Sequence, residues 1–220
     1  SPMNSNKVMS LRYWKQKNTI NECIESVGFD CIKLLNEPTA AAIGYGYDMS
    51  FKDDDNILVI DLGGGTIDFS IINVEGGEDK MYEVKYIWGE NYGGSDLTHI
   101  MINYIRSKDE YKDYDFSNKN LFDYFDKMKI RLSSFDIEID TIKINGQNIS
   151  MTKNEFNDLA TNWLNKMEYF LDHIFTNSNY NKEDISHVLL VGGSSKLVVL
   201  REKLNKYFDI KLDSHYINNI

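Results

Sequence analysis

The chain has 220 residues, which suits one large or two small domains, and its 42% of apolar residues excludes a disordered chain. With 24 basic and 34 acidic residues the net charge is −10, so nucleic acid and anionic membranes are excluded as partners because both would repel the chain. A bound phosphate would have to be held locally, by backbone amides or a few basic side chains.

Cysteine usage and hydropathy indicate the cellular compartment and the absence of a membrane span. Cys23 and Cys31 have neither a CxxC nor a metal-ligand spacing, which predicts free thiols in a reducing compartment, the cytoplasm. No apolar run approaches the length of a membrane span, so no membrane association is expected. Residues 1–9 are interpreted as a leader outside the fold, because Ser1-Pro2-Met3 resembles an expression scar.

Hydrophobic periodicity and turn residues predict a mixed α/β chain. The first half of the chain is expected to form a helix over 15–27, a strand over 31–35, a helix from Pro38, strands over 57–62, 67–74 and 82–88, and a helix over 96–106. The second half is expected to form a helix over 118–132, a hairpin over 135–151, a long helix, a strand over 188–191 and a helix over 195–207. A capping box of Thr152 and Glu155 precedes the long helix. Asn145-Gly146 predicts a type I′ turn in the hairpin. Strands followed by helices at both ends predict a helix-covered sheet, with residues 94–160 as an inserted α+β subdomain.

The sharpest functional signal is the segment Asp61-Leu62-Gly63-Gly64-Gly65-Thr66-Ile67-Asp68. Glycine permits a positive φ and close approach by a ligand, and successive amides in such a turn form a concave site for phosphate oxygens. The Thr66 hydroxyl could add a hydrogen bond, and Asp61 and Asp68 supply carboxylates where a magnesium ion bridging phosphates would need them. The alternative is an ordinary tight hairpin with exposed acids; the flanking acids and Thr66 favour phosphate binding.

Two other segments admit both a functional and a structural interpretation. Residues 191–196 join an apolar strand to a helix through two glycines, which fits a ligand at a helix N-terminus as well as it fits a packing turn. Asp126, Lys129 and Ser133 share one helix face, where a ribose and a base could bind. Spacing alone favours a solvated face for this second set.

Glu37 lies in Asn36-Glu37-Pro38-Thr39, at the junction between a predicted strand and a predicted helix. Such junctions often carry active-site groups, but a helix-capping role fits this position at least as well. The histidines share no partner pattern and are interpreted as structural or exposed: His99, His173, His187 and His215.

Taken together, these segments resemble the nucleotide-binding domain of the Hsp70 family. The resemblance rests on Asn36–Asp48, similar to the family's segment between its two lobes; Ile60–Asp68, similar to its second phosphate loop; Gly89–Asp96, similar to its paired-glycine segment; Asp126–Ser134, similar to its adenosine-binding helix; and Val188–Lys196, similar to its last nucleotide-contacting turn. The motifs occur in the family's order and at nearly its spacing, over about residues 10–220.

The resemblance implies an α/β, actin-like ATPase (ribonuclease H-like) fold whose central cleft takes ATP or ADP with Mg²⁺. Residues 51–93 and 161–220 would form subdomain IIA of lobe II, residues 94–160 would form subdomain IIB, and residues 10–50 would be a helix-strand-helix remnant of lobe I. Because that remnant would lack its usual sheet, we expect its apolar faces to be exposed, disordered or paired with another chain.

The resemblance also implies roles for individual residues. Those implied to be catalytic are Glu37, Asp61 and Thr66. Those implied to contact the nucleotide are Gly63, Gly64, Gly65, Gly94, Asp126, Lys129, Ser133, Gly193, Ser194 and Lys196. Asp61 and Asp68 are implied to hold the metal through water.

Several positions depart from the family pattern. The family's first phosphate loop and its catalytic lysine are absent from these 220 residues. Ile130 and Lys196 stand where the family has arginines, which puts stacking of the base in question, and Val198 replaces a proline. Since phosphoryl transfer needs charge stabilisation from several sides, we expect weak nucleotide binding and negligible turnover from this chain alone.

The sequence therefore predicts part of the nucleotide-binding domain of an Hsp70-type chaperone, whose parent hydrolyses ATP to control binding of unfolded polypeptide through another domain. Implied partners are J-domain co-chaperones, and nucleotide exchange factors on residues 94–160; the implied location is the cytoplasm, or an organellar lumen for the parent. The alternative is a degenerate, non-catalytic Hsp70-like scaffold or regulator, which Ile130 favours and the intact loop at 61–68 opposes. An actin-like sugar kinase fits less well, because Asn36–Thr39 is more specific to Hsp70.

Overall fold

The computed structural model describes residues 18–30, 35–77, 79–134 and 136–209. Its strands are β1 (Asn56–Leu62), β2 (Ile67–Glu75), β3 (Met81–Glu90), β4 (Ile139–Ile144), β5 (Gln147–Thr152) and β6 (His187–Val191). Its helices are α1 (residues 18–26), α2 (Glu37–Met49), α3 (Gly94–Ser107), α4 (Leu121–Leu132), α5 (Lys153–Asn177) and α6 (Val198–Phe208). None of these helices combines the length and the apolar composition that crossing a bilayer requires.

A mixed four-stranded sheet forms the centre of the protein, in the order β3-β2-β1-β6. β1 pairs antiparallel with β2 and parallel with β6, and β2 pairs antiparallel with β3. The central strand β1 is buried on both faces from Ile57 to Ile60, as its uninterrupted apolar run predicts. β4 and β5 form a separate two-stranded sheet.

Helices cover both faces of the central sheet. On one face α2 packs through Ala42 and Tyr45 against a cluster that includes Val59. On the other face α3, α4, α5 and α6 share one large core, in which Trp163 is fully buried. Removing an apolar side chain of this size from water stabilises the fold by about 1.5–3 kcal/mol, so the long stripe of α5 is a major contributor.

Local signals account for several element ends. α1 is followed by Gly28 at φ +87°, a conformation that favours glycine after a helix, and Pro38 lies in the first turn of α2. Asn145 and Gly146 both have positive φ, which confirms the predicted type I′ turn between β4 and β5. At the start of α5, the Thr152 hydroxyl accepts from the Glu155 amide and the Glu155 carboxylate accepts from the Thr152 amide, so the capping box is confirmed.

Two predicted helices begin later in the structure than expected. The helix expected from Ser195 begins at Val198 instead; residues Gly193–Lys196 form a 3₁₀ turn, and Leu197 is extended, which separates that turn from α6. The helix expected from 118 begins at Leu121. Of the strand expected over 31–35, residues 31–34 lie outside the described residues.

A β-bulge in β3 was not predicted. The pairing register with β2 shifts between Ile71 and Ile72, which leaves Lys85 as the additional residue. Before the bulge, Tyr82 packs on the α2 side of the sheet; after it, Trp88 packs on the opposite side. One strand therefore contributes side chains to both cores.

The apolar exposure expected over residues 10–50 is confirmed in the described part of that segment. Val27 and Phe29 are about 70% exposed, at 70% and 69%, and Ile20, Leu35 and Ile43 are also exposed. The inner face of α2 does not fit the expectation, because it packs on the chain's own sheet through Ala42.

The Glu155 carboxylate predicts a pH-dependent stability. Burial tends to raise the pKa of Glu155, but hydrogen bonds from Lys108, Thr152 and Tyr104 outweigh burial and lower that pKa from 4.5 to about 2. A lowered pKa in the folded state stabilises the fold above pH 4.5, and this contribution disappears as the pH falls through about 2. At pH 7 we expect Glu155→Gln to lower the free energy of unfolding by about 1–2 kcal/mol, a value reduced by partial solvent screening.

Urea unfolding at a series of pH values checks this prediction. The difference between wild type and Glu155→Gln should shrink steadily between pH 4.5 and pH 2. Glu202→Gln, an exposed glutamate on α6, is the matched control and should have no effect at any pH. A difference that is independent of pH would contradict the assigned cause.

Candidate functional site

The hairpin between β1 and β2 is held from behind by two other segments. Within the hairpin, the Gly63 amide donates to the Thr66 carbonyl at 3.0 Å. The Gly63 carbonyl accepts from the Gly94 amide at 3.1 Å and from the Ser194 hydroxyl at 2.8 Å. The Gly64 carbonyl accepts from the Ser95 amide at 2.7 Å. Both carbonyls are therefore fixed toward the first turn of α3.

This arrangement fixes the direction of the hairpin amides. In a trans peptide the C=O and the following N–H point in opposite directions, and the described residues contain no cis peptide bond. With the carbonyls of Gly63 and Gly64 turned toward α3, the amides of Gly64 and Gly65 point away from it. Neither these amides nor that of Thr66 donate to any acceptor in the part of the chain that the structure describes. Three successive backbone donors are thus left without a protein acceptor, which is the kind of donor set that can bind an anion.

Glycines at the back of the hairpin permit the close packing. A Cβ on Gly93 would lie 2.5 Å from the Gly64 carbonyl oxygen, and a Cβ on Gly94 would lie 2.1 Å from the Ser194 hydroxyl. Gly192 has φ +85°, and a Cβ there would lie 2.4 Å from the Leu62 carbonyl oxygen. Only glycine allows the backbone at positions 93 and 192 to meet another backbone, and that at position 94 to meet a side chain, at these distances.

The sequence suggests two reasons for glycine in the hairpin, a positive φ and close approach by a ligand. Gly63, Gly64 and Gly65 are not among the glycines with positive φ, so the first reason does not apply to them. A Cβ on Gly65 would meet nothing within 4 Å. The chain itself thus requires neither a special φ nor extra space at Gly65, and its small size leaves the free amides open to an approaching ligand.

Three carboxylates lie beside the hairpin. Burial raises the pKa of Asp61, and the nearby charges of Glu37 and Asp68 raise it further. Asp61 and Asp68 are paired across the hairpin, and Gly89 on β3 makes room for the Asp68 carboxylate. The sequence prediction that these three residues share one site is consistent with this electrostatic coupling.

The carboxylates do not form a metal cage by themselves. Across residues 18–30, 35–77, 79–134 and 136–209, no group of three or more His, Cys, Asp or Glu side chains is close enough to hold a metal ion. Carboxylate oxygens suit Mg²⁺, which usually keeps several waters and binds through one or two carboxylates together with phosphate oxygens. The donor set therefore fits a hydrated Mg²⁺ beside a bound phosphate.

The α4 residues predicted to hold adenosine lie against the first turn of α3. The buried Lys129 ammonium donates to the Gly94 carbonyl at 2.9 Å, the Thr98 hydroxyl at 3.0 Å and the Asp126 carboxylate at 2.6 Å. The Ser133 hydroxyl, also buried, donates to the Ile130 carbonyl within α4. Asp126 and Lys129 are thus held against the first turn of α3.

The last predicted contact segment is divided by the structure. Ser194 reaches the hairpin directly, through the Gly63 carbonyl. Gly193 and Lys196 are exposed, and the Lys196 side chain has no hydrogen bond or ion pair within the described residues. Ile130, where the family has an arginine, is 58% exposed on α4.

Sequence reasoning assigned no site role to several residues that build this arrangement. Gly93, Ser95 and Gly192 hold the hairpin, and the paired glycines before a helix were the signal that could have identified the first of them. Thr98 is fully buried and bonded to both Lys129 and Asp126. An isolated threonine on an amphipathic helix carries no signal of that kind.

Fold and site together define a mixed α/β protein with a candidate anion-binding hairpin at the edge of strands β1 and β2. The family model described as "Hsp70 protein" matches residues 13–219. The chain belongs to the Hsp70 family, whose members are ATP-binding chaperones with an actin-like ATPase fold, and its mixed sheet is consistent with that fold.

Curated relatives agree with the family match. The chain is 30% identical over 196 residues to the chaperone protein HscA of Cronobacter sakazakii and, over the same length, to that of Klebsiella pneumoniae. It is 31% identical over 198 residues to the chaperone protein HscA of Salmonella paratyphi B. Each comparison covers 88% of this chain and 31% of the relative, so the chain spans about a third of the length of these relatives.

Gly93→Ala should disrupt the backing of the hairpin. Because the new Cβ would lie 2.5 Å from a backbone oxygen, the hairpin and α3 must separate, and we expect a loss of about 2–3 kcal/mol in the free energy of unfolding. Gly44→Ala is the control: its Cβ would meet nothing within 4 Å, and alanine is the better helix former by about 0.5–1 kcal/mol. Urea unfolding measures both, and equal stability of the two variants would contradict the close approach.

Proposed function

We propose that this chain forms one side of the ATP/ADP cleft of an Hsp70-type chaperone ATPase. The single observation that carries the proposal is the row of free amides at Gly64, Gly65 and Thr66, of which the first two point away from the anchored carbonyls of Gly63 and Gly64. Phosphate oxygens are the acceptors such a row fits, and the exposed Thr66 hydroxyl adds a further donor. A protein with a net charge of −10 repels anions, so local amide donors are needed to bind a phosphate.

The carboxylates beside the hairpin are proposed to bind the metal ion and to orient water. Asp61 and Asp68 would hold Mg²⁺ through water beside the phosphates, where the ion would offset their negative charge. Glu37, in the first turn of α2, would orient the attacking water. The raised pKa of Asp61 supports this reading, because a site that crowds carboxylates at a cost to the free protein is expected where a cation binds.

The adenosine would lie on the α4 side. Asp126, Lys129 and Ser133 would line it, with Gly94 behind, and the turn of Gly193, Ser194 and Lys196 would close over it. Ser194 and Lys129 both bond to the hairpin or to Gly94, which supports one continuous site. Ile130 gives an aliphatic side chain rather than a planar cation beside the base.

The domain division is also part of the proposal. Residues 51–93 and 161–220 would form subdomain IIA, and residues 94–160 would form subdomain IIB. The central sheet falls in the first set and the small β4–β5 sheet in the second, which supports the division. Residues 10–50 would belong to lobe I, although α2 packs on the central sheet.

For the whole protein, we propose an ATPase that controls binding of unfolded polypeptide through a domain outside these residues. J-domain co-chaperones, and exchange factors on residues 94–160, would be its partners. The exposed free cysteine Cys23 supports a reducing compartment, the cytoplasm. The second candidate is a non-catalytic Hsp70-like scaffold, which the exposed Ile130 favours.

Calorimetric titration of the chain with Mg-ADP tests the proposal. One side of a cleft supplies only part of the contacts, so we expect saturable binding with a Kd in the roughly millimolar range and negligible hydrolysis of ATP. Asp61→Asn should weaken binding of Mg-ADP about tenfold or more without weakening the binding of metal-free ADP, because its role is at the metal. No heat at about 10 mM ligand would contradict the proposal.

The same variant tests the electrostatics of the free protein. The pKa of Asp61 is raised in the fold, so folding favours the protonated form, and the ionised carboxylate at pH 7 destabilises the fold. Asp61→Asn removes that charge and should raise the Tm at pH 7. The gain should shrink as the pH falls toward 3.8, where wild type also becomes neutral. Asp158→Asn, at an exposed site on α5, should change neither Tm nor binding.

A further inference from the structure

The ammonium group of Lys129 is fully engaged with protein acceptors in the ligand-free chain. An ammonium carries three N–H donors and no acceptor. All three are within hydrogen-bonding distance of protein acceptors, namely the Gly94 carbonyl, the Thr98 hydroxyl and the Asp126 carboxylate. Its side chain is only 6% exposed, so water has little access to it.

We propose that Lys129 and Thr98 are positioning residues, which hold the first turn of α3 so that Gly94 and Ser95 can fix the phosphate hairpin. The inference rests on the proposed nucleotide site and adds a positioning role for Lys129 to it. Asp126 keeps a free acceptor in this group. Its Oδ1 accepts from Lys129 and Thr98, whereas its Oδ2 has no hydrogen bond in the described part of the chain.

The link from Lys129 to the hairpin passes through a single residue. The Gly94 carbonyl accepts from Lys129, while the Gly94 amide donates to the Gly63 carbonyl. The Gly63 carbonyl in turn fixes the direction of the Gly64 amide, because both belong to one planar peptide. Two hydrogen bonds and one peptide plane thus connect the buried cation with a phosphate-facing donor.

Thr98 completes the surroundings of the cation. Its side chain is fully buried, its hydroxyl accepts from Lys129, and its single proton can be donated to Gly94 at 3.2 Å or to Asp126 at 2.9 Å. Without that hydroxyl one ammonium donor would be buried and unsatisfied, which is costly at low dielectric. The first turn of α3 would then lose its fixed position relative to α4.

Hydrogen exchange in the ligand-free chain tests the positioning role by itself. We expect Thr98→Val to accelerate exchange of the Gly94 and Ser95 amides about tenfold or more, since these amides donate to the hairpin. Thr98→Ser, which keeps the hydroxyl, should restore exchange to within about twofold of wild type. Exchange in the middle of α5, at Ala160, should stay unchanged, which separates a local effect from global unfolding.

A matched control exists on α5. The Thr161 hydroxyl donates to the Asn157 carbonyl four residues earlier, as Thr98 does to Gly94, but Thr161 is exposed and has no charged partner. Thr161→Val should therefore leave the exchange of Gly94 and Ser95 unchanged. If Thr98→Val does not fold, Asp126→Asn weakens the same link from its partly exposed side, and a faster exchange of those two amides is again expected.

Affinity for Mg-ADP separates this inference from the proposed function. Thr98→Val should weaken binding about tenfold, and Thr98→Ser should recover it. If wild type binds no Mg-ADP, the proposed function fails, while the exchange data still decide the positioning role. Exchange of Gly94 and Ser95 that is unchanged in both Thr98→Val and Asp126→Asn would overturn the inference.

Discussion

The orientation of two carbonyl groups, those of Gly63 and Gly64, is the constraint on which the candidate site depends. The Gly63 carbonyl accepts hydrogen bonds from the first turn of α3 and from Ser194, and the Gly64 carbonyl accepts one from the first turn of α3. Since a peptide is planar and trans, fixing the carbonyls fixes the amides on the other side. The proposed anion site is therefore shaped by the first turn of α3 and by Ser194, which fix these carbonyls.

Much of the surrounding structure can be understood as support for that contact. Glycine at 93 and 192 lets backbone approach backbone, and the buried cation of Lys129 secures the α3 turn. The front of the site is electrostatically unfavourable in the free protein, because the Asp61 carboxylate is partly buried near two like charges. Like charges at the open side and tight packing at the back fit the binding of a metal-bound phosphate that we propose.

The sequence predicted features that depend on neighbouring residues and missed those that depend on distant ones. The type I′ turn at Asn145 and the capping box at Thr152 follow from local chemistry, and both are found. The bulge at Lys85 arises from pairing with β2 and from two cores on opposite faces, which no local pattern contains. Likewise Thr98 meets Asp126 across two helices, so its role could emerge only from the fold.

Amide spectra of the ¹⁵N-labelled chain during titration with Mg-ADP test the central claim most directly. If the hairpin amides are the phosphate donors, the signals of Gly64, Gly65 and Thr66 should move downfield together as the ligand saturates, because each N–H gains a charged acceptor. The Gly146 amide, in the distant β4–β5 turn, should not move. Saturation that shifts other residues while these three signals stay in place would contradict the account.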